Sequence, residues 1–167
     1  AESLTVVEID GLAIASGNVA TSEGNVSLTL LAGNLTGAGS IHAVETPNST
    51  VTLVVNQGAV SLTGTITGGL LDLTALNSST LFTDVDSLTA DITGEGESLT
   101  VTEDDDLIVA SGNITTANGS IEISLTGLGD IQNAGNLTGP GDINAGTGDV
   151  TLNSTSDSIS PNGTITG

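Results

Sequence analysis

The side chains in this sequence whose type and spacing could form a chemical site, such as a metal site, are acidic. Nine of the twenty fall within residues 84–106, where an even spread would place about three. They are Asp84, Asp86, Asp91, Glu95, Glu97, Glu103, Asp104, Asp105 and Asp106. Carboxylates this close repel one another unless a hard cation joins them, and Ca²⁺ accepts about six to eight oxygen ligands. The cluster predicts either a Ca²⁺ site, with Asp104, Asp105 and Asp106 as candidate ligands, or a solvated acidic turn that maintains solubility.

The absence of cationic side chains excludes several classes of function. The 167 residues include no Lys or Arg and one His, which gives a formal net charge of −20 at pH 7. Without cations a protein cannot neutralise nucleic-acid phosphates or dock on anionic lipid. No apolar run is long enough to span a bilayer. We therefore expect no nucleic-acid partner and no membrane insertion. The chain also has no Cys, which excludes disulfides, thiolate metal sites and thiol nucleophiles.

Catalytic motifs are sparse. His42 has no second His and no Cys with which to form a zinc site, and nothing in the spacing indicates a Ser-His-Asp triad. Glycoside hydrolysis by a pair of carboxylates stays a formal alternative. No acidic pair lies in a recognisable aromatic-lined cleft, since Phe82 is the single aromatic residue. We therefore predict that the protein is not an enzyme and requires no cofactor.

The composition indicates which elements must position these residues. Gly, Thr and Ser are abundant, which suits short strands and tight turns and is unfavourable for helices. Hydrophobic residues make up 37% of the chain, so a core can form from Leu, Ile, Val and Ala. We therefore expect an ordered, all-β protein rather than a disordered chain.

An internal duplication organises the chain. Residues 3–30 align without gaps on residues 98–125, and 14 of the 28 aligned positions are identical. The pentapeptides GNLTG and GTITG each occur twice, with the two occurrences about 100 residues apart. Duplication on this scale is typical of repeat architectures. We predict a first repeat unit at 1–94 and a second, incomplete unit at 95–167 that is continuous with the first.

A shorter period within each unit predicts the fold. Glycines recur about every 6 to 10 residues, and aliphatic residues alternate with hydroxyl residues after them, as in Val26, Leu28 and Leu30. Short strands with glycine corners favour a parallel β-solenoid of seven or eight turns, about 20 to 22 residues each. The alternative is a tandem pair of immunoglobulin-like β-sandwiches, which normally need a core Trp or Tyr that this chain lacks.

Several segments resemble a known group of repeats. They are Gly119–Leu125 (GSIEISL), Gly141–Leu152 (GDINAGTGDVTL) and Gly163–Gly167 (GTITG). Their pattern is similar to the repeats of filamentous-haemagglutinin-like adhesins and autotransporter passengers, which are right-handed parallel β-helices secreted by bacteria. The resemblance implies an extracellular rod that acts as a stalk, adhesin or matrix fibre, with no catalytic residues. The absence of Lys and Arg departs from that group.

Nine Asn-x-Ser/Thr motifs are candidate glycosylation sites. They begin at Asn25, Asn34, Asn48, Asn77, Asn113, Asn118, Asn136, Asn153 and Asn162. A turn Asn, an inward aliphatic residue and an outward Thr would produce such motifs in any solenoid of this kind. Glycosylation would in addition require a secretory route with a glycosylating enzyme.

These observations predict a secreted, cell-surface protein with a mechanical role. We expect a structural or adhesive element of a fibre, appendage or sheath, with further copies of itself as the main partner and surface glycans as candidate ligands. Neither terminus resembles a solenoid cap, so we expect more repeats or end-to-end assembly. The alternatives are a carbohydrate- or receptor-binding adhesin module and a polysaccharide-cleaving enzyme.

Overall fold

All regular secondary structure in the described part of the chain is β-strand. The computed structural model describes residues 2–44, 48–126, 136–154 and 158–167. Its sixteen strands are β1 (Leu4–Glu8), β2 (Leu12–Ala13), β3 (Asn18–Ala20), β4 (Val26–Leu30), β5 (Leu35–Gly37), β6 (Ser40–His42), β7 (Thr50–Val55), β8 (Val60–Ala75), β9 (Ser79–Glu95), β10 (Leu99–Glu103), β11 (Leu107–Ala117), β12 (Ile121–Leu125), β13 (Leu137–Thr138), β14 (Ile143–Asn144), β15 (Val150–Ser154) and β16 (Ile165–Thr166). Within these ranges, no helix is long and apolar enough to cross a membrane.

The strands stack in three columns, which we call faces 1, 2 and 3. Face 1 contains β1, β4, β7, residues 71–75 of β8, residues 88–92 of β9, residues 114–117 of β11, β14 and β16. Face 2 contains β2, β5, residues 60–62 of β8, residues 79–82 of β9, β10, β12 and β15. Face 3 contains β3, β6, residues 66–70 of β8, residues 83–87 of β9, residues 107–108 of β11 and β13.

This three-sided coil confirms the predicted parallel β-solenoid. Every pairing between the described strands is parallel, which excludes tandem sandwiches because their sheets are antiparallel. Face 1 alone, followed from Leu4 to Ile165, passes through seven turns. Across the three faces, turn length ranges from 17 residues, between Leu71 and Leu88, to 30 residues, between Leu107 and Leu137. The turn lengths vary more than the predicted range of about 20 to 22 residues. A corner can gain residues without disturbing the stacked strands, whereas a strand must match the length of its neighbours.

The interior of the coil is aliphatic. Strand β4, with the sequence VSLTL, alternates fully buried aliphatic residues with half-buried hydroxyl residues, and β7 shows the same alternation. Phe82 points outward and is 39% exposed, so the one aromatic side chain is not part of the core. Each fully buried Leu, Ile or Val side chain contributes about 1.5 to 3 kcal/mol of transfer free energy.

Glycine corners let successive turns approach closely. At Gly58 a Cβ atom would collide with the backbone carbonyl of Gly33 in the preceding turn, and at Gly119 it would collide with that of Glu97. Only glycine fits where a corner lies directly on the backbone of the preceding turn, because it has no side chain.

The two copies of the repeat have the same register but lie on different faces. Leu4 pairs with Val26 in the first copy, and Leu99 pairs with Ile121 at the equivalent positions of the second. Leu4 lies on face 1, whereas Leu99 lies on face 2 four turns later. The duplication therefore advances the coil by four turns and one face. Strand β9 extends to Glu95, and its pairing with β11 shifts register between Ile92 and Glu95.

Candidate metal centre

Glu103 occupies a core position. Strand β10 has the sequence LTVTE with alternating burial, so Leu99, Val101 and Glu103 are its inward residues. The residues stacked on Glu103 are Thr83 of β9 and Leu125 of β12, and both are buried. Glu103 itself is 0% exposed. The carboxyl group of Glu103 therefore occupies an inward position at which the next turn, in β12, has the aliphatic side chain of Leu125.

The two oxygens of this carboxyl group differ in their surroundings. Oε1 accepts the backbone N–H of Val85 at 3.2 Å and that of Asp104 at 3.0 Å. Oε2 is buried and has no hydrogen-bond partner in the part of the chain that the structure describes. A buried polar atom without a partner costs about 1 to 3 kcal/mol, and a charged one costs more. Oε2 is therefore the atom at which a proton or a cation would be favoured.

Two further carboxylates lie next to Glu103. One carboxylate oxygen each from Asp84, Glu103 and Asp105 lies within 4.8 Å of the other two, and we call these residues the carboxylate trio. Asp84 lies on β9, Glu103 ends β10, and Asp105 lies in the corner between β10 and β11. Because β9 and β10 are stacked strands, the trio joins two consecutive turns. Asp84 is half-buried and Asp105 is exposed, so the group extends from the core to the surface.

Burial and mutual repulsion both oppose ionisation of the trio. Burial raises the pKa of Glu103 from its ordinary value of 4.5 to about 8. The nearby hydroxyl of Thr83, which donates to the carbonyl of Thr102 at 3.4 Å, and the two backbone amides bound to Oε1 lower this pKa, and the charge of Asp105 raises it further. The pKa of Asp105 is also raised, first by partial desolvation of its carboxylate and then by the charges of four neighbouring aspartates. Desolvation is the main cause of both pKa shifts, and the neighbouring negative charges add to it.

The structure brings together only part of the predicted ligand set. Of the three candidates, Asp105 belongs to the trio among the described residues. The backbone N–H of Asp104 binds Glu103, and Oδ1 of Asp106 accepts the backbone N–H of Asn136 at 2.6 Å and its Nδ2–H at 3.3 Å. Residues 104 and 105 form a bend outside the strands, and the Asp106 carboxylate is engaged with Asn136. Metal binding at this corner stays a prediction.

An open groove of about 700 Å³ lies beside the trio. Its lining consists of Gly69, Asp86, Ser87, Asp105, Asp106, Ile108, Asn136 and Thr138. Asp105 belongs to both the groove and the trio, so solvent reaches the trio from this side. Asp86 and Asp106 add to the negative potential there.

The first repeat copy contains counterparts of two of the three trio residues. Glu8 and Asp10 align with Glu103 and Asp105. Oε1 of Glu8 accepts the backbone N–H of the next residue at 2.9 Å, as Oε1 of Glu103 does at 3.0 Å. In the described ranges, β1 pairs only with β4, so no strand on its other side supplies a counterpart of Asp84. The first copy therefore offers a natural control for the second.

His42 lies apart from the trio. It is half-buried on β6 and pairs in register with Thr67, which pairs with Asp84 one turn further on. Two strand spacings, about 10 Å along the stack, separate the backbones of His42 and Asp84. His42 does not belong to the group of potential ligands found among the described residues.

Asparagines of the glycosylation motifs serve as corner caps. Five of the nine accept a backbone N–H of the next turn through Oδ1, and these are Asn25, Asn34, Asn113, Asn118 and Asn136. Asn34, for example, accepts the N–H of Ala59 at 2.9 Å, and the next residue, Leu35, is fully buried. The excess of these motifs therefore has a structural cause. Glycosylation of the nine asparagines stays a prediction.

Comparisons with known proteins add no family to this description. No protein-family model, curated protein or solved structure matches the chain. The structure confirms a β-helix repeat, and no match supports the finer resemblance to haemagglutinin-like adhesins or autotransporter passengers. Function must therefore be inferred from the architecture and from the groups it brings together.

Proposed function

We propose that this protein is a secreted structural or adhesive β-solenoid, part of a cell-surface fibre, appendage or sheath, and not an enzyme. The observation that carries this proposal is the uninterrupted stack of seven parallel turns around one aliphatic core. Such a stack is a rod with hydrogen bonds aligned along its axis, and each turn buries the apolar surface of the turn before it. The pattern-level resemblance to filamentous-haemagglutinin-like adhesins and autotransporter passengers supports a place on the cell surface.

The first turn presents a surface that another turn would cover. Val6 and Leu12 pack against the core but are only partly buried, whereas their partners one turn later, Leu28 and Leu35, are at most 1% exposed. In the described part of the chain, β1 and β2 each have a strand on one side only. An open strand edge is a template for a further strand. This edge supports stacking of another turn, supplied by more of the same chain or by a second copy.

End-to-end stacking can be tested with two neighbouring residues of β1. Val6 points inward and Val7 points outward, with 63% of its surface exposed. A Val6→Lys variant would place a charge in the stacking surface, whereas Val7→Lys would add the same charge beside it. We expect electron microscopy of the purified protein to show filaments one solenoid wide for the wild type and for Val7→Lys. Val6→Lys should remain monomeric.

Far-UV circular dichroism should show that both lysine variants keep the β-sheet signal, so that loss of filaments reports assembly rather than unfolding. Monodisperse wild-type particles at high protein concentration, with or without Ca²⁺, would contradict self-assembly. Filaments of unchanged length from Val6→Lys would contradict stacking through β1.

The groove beside the trio favours a second candidate function, that of a carbohydrate- or receptor-binding adhesin module. Asp86, Asp106 and Asn136 line it with oxygen and amide groups that can bind sugar hydroxyls. A glycan array probed with the monomer tests this alternative, with saturable binding that Asp86→Ala weakens as the supporting result. Hydrolysis of a polysaccharide that Asp86→Asn abolishes would instead overturn the non-enzymatic assignment.

A further inference from the structure

No Lys or Arg side chain can neutralise the carboxylate trio, because the chain contains none. The charges of Asp84, Asp86, Asp104 and Asp106 all act on Asp105, so the corner carries several carboxylates close together. Compensation for this local charge must therefore come largely from ions in the solvent. Exposed aspartates alone would attract a diffuse cloud of monovalent ions and would need no defined site.

Glu103 distinguishes this corner from an ordinary acidic surface. Its side chain is 0% exposed, and Oε2 is buried without a hydrogen-bond partner among the described residues. Oε1 is held by the backbone amides of Val85 and Asp104. The carboxyl group is thus fixed in place with Oε2 unpaired, and one of its oxygens lies within 4.8 Å of oxygens of Asp84 and Asp105. A buried carboxyl group keeps its charge only when it is paired or coordinates a metal, and otherwise it takes up a proton.

The spacing of the oxygens fits calcium. Ca²⁺ binds oxygen at about 2.3 to 2.6 Å, so its ligands lie at most about 5 Å apart. The trio's oxygens lie within 4.8 Å of one another, so one Ca²⁺ ion can contact all three. Ligands from two different turns suit the variable coordination of Ca²⁺ better than the strict octahedron of Mg²⁺. We propose that Asp84, Glu103 and Asp105 bind one calcium ion, with water from the adjoining groove completing its coordination.

Calcium at this position would link consecutive turns near the junction of the two repeat copies. Asp84 belongs to one turn, and Glu103 and Asp105 belong to the next. An ion that binds the folded protein and not the unfolded chain stabilises the fold by mass action. Because it concerns a single chain, this proposal is independent of the proposed end-to-end assembly.

Isothermal titration calorimetry of the metal-stripped protein with CaCl₂ tests the site directly. About 0.15 M NaCl in the buffer screens diffuse attraction to the surface carboxylates. We expect one saturable Ca²⁺ site in the wild type, at least tenfold weaker binding of Mg²⁺, and a higher Tm with Ca²⁺ by circular dichroism. Asp84→Asn and Glu103→Gln should each weaken Ca²⁺ binding at least tenfold.

Glu8→Gln is the matched control, because Glu8 holds the equivalent position in the first copy without a counterpart of Asp84. It should bind Ca²⁺ as the wild type does. Equal binding by the wild type and all three variants would show diffuse counter-ions only, and absence of saturable heat from the wild type would also refute the site. Asp84 is half-buried, so Asp84→Asn provides a ligand test that does not alter the core.

Discussion

Replacing Glu103 with glutamine tests the energetic state of the buried carboxyl group in the absence of divalent cations. Glutamine has nearly the same shape, and its carbonyl oxygen can accept the same two backbone N–H groups that bind Oε1. Its amide can donate toward Asp84 and Asp105, whose carboxylates lie beside it. The substitution therefore removes the ionisation of residue 103 while preserving the packing.

The size of the expected effect follows from the pKa of Glu103. This pKa is about 8 in the folded protein, against an ordinary value of 4.5. Since one pKa unit corresponds to about 1.4 kcal/mol, ionising the buried carboxyl group costs at most about 5 kcal/mol relative to the unfolded chain. This cost is comparable with the whole stability of many domains.

The sign of the pH dependence is set by the direction of the shift. Below pH 4.5 the carboxyl group is protonated in both states, and the folded protein has its full stability. Between pH 4.5 and 8 the unfolded chain releases the proton while folded Glu103 retains it, so stability falls as the pH rises. Above pH 8 both states are ionised and the loss is complete. The raised pKa of Asp105 acts in the same direction.

Urea denaturation followed by circular dichroism, in EDTA at pH 5, 7 and 9, measures this difference. We expect similar midpoints for the wild type and Glu103→Gln at pH 5. At pH 9 the variant should be more stable by about 3 to 5 kcal/mol. Glu8→Gln leaves Glu103 in place and should retain the loss of stability with rising pH that Glu103 causes. Parallel pH profiles for the wild type and Glu103→Gln would refute the conclusion that this carboxyl group is buried without compensation.

Two further predictions concern the corners. Gly58→Ala places a Cβ against the backbone of the preceding turn and should destabilise the fold by about 1 to 3 kcal/mol. At Gly68 the atom nearest to an added Cβ is a valine methyl at 3.3 Å, so Gly68→Ala should destabilise the fold less. Thermal melts of the two variants measure the difference. Asn34→Ala removes the acceptor that caps the backbone N–H of Ala59 and should cost about 1 kcal/mol in urea denaturation. Asn34→Asp keeps an acceptor and should cost less; equal losses would count against the cap.

The fold was predictable because its determinants are local and repeated. Alternation such as that of β4 fixes which residues point inward, and a glycine such as Gly58 permits a tight corner. The duplication adds independent support, since the same alternation occurs twice with the same register, Leu4 on Val26 and Leu99 on Ile121. Turn length was less predictable, because a corner can gain residues without disturbing the strands it joins.

The carboxylate trio was only partly predictable. Alternation along Leu99, Val101 and Glu103 already places Glu103 on the inward face, and this signal could have distinguished it from the three aspartates that follow. Asp84 could not be assigned in the same way. It joins the trio from the preceding turn, and turn lengths of 17 to 30 residues leave its register undefined until the strands are paired.

The rotation between repeat copies determines how such sites are distributed on a longer rod. Glu8 and Asp10 lie at the end of a face 1 strand, whereas Glu103 and Asp105 lie at the end of a face 2 strand four turns later. A third repeat copy, advanced again by four turns and one face, would carry its Glu and Asp at the end of a face 3 strand. A fourth copy would return the pair to face 1. Acidic corners would thus follow a helical path around the rod, so negative charge would repel neighbouring rods from every side. Lateral bundling of such rods would need cations all around the axis, whereas end-to-end stacking would not.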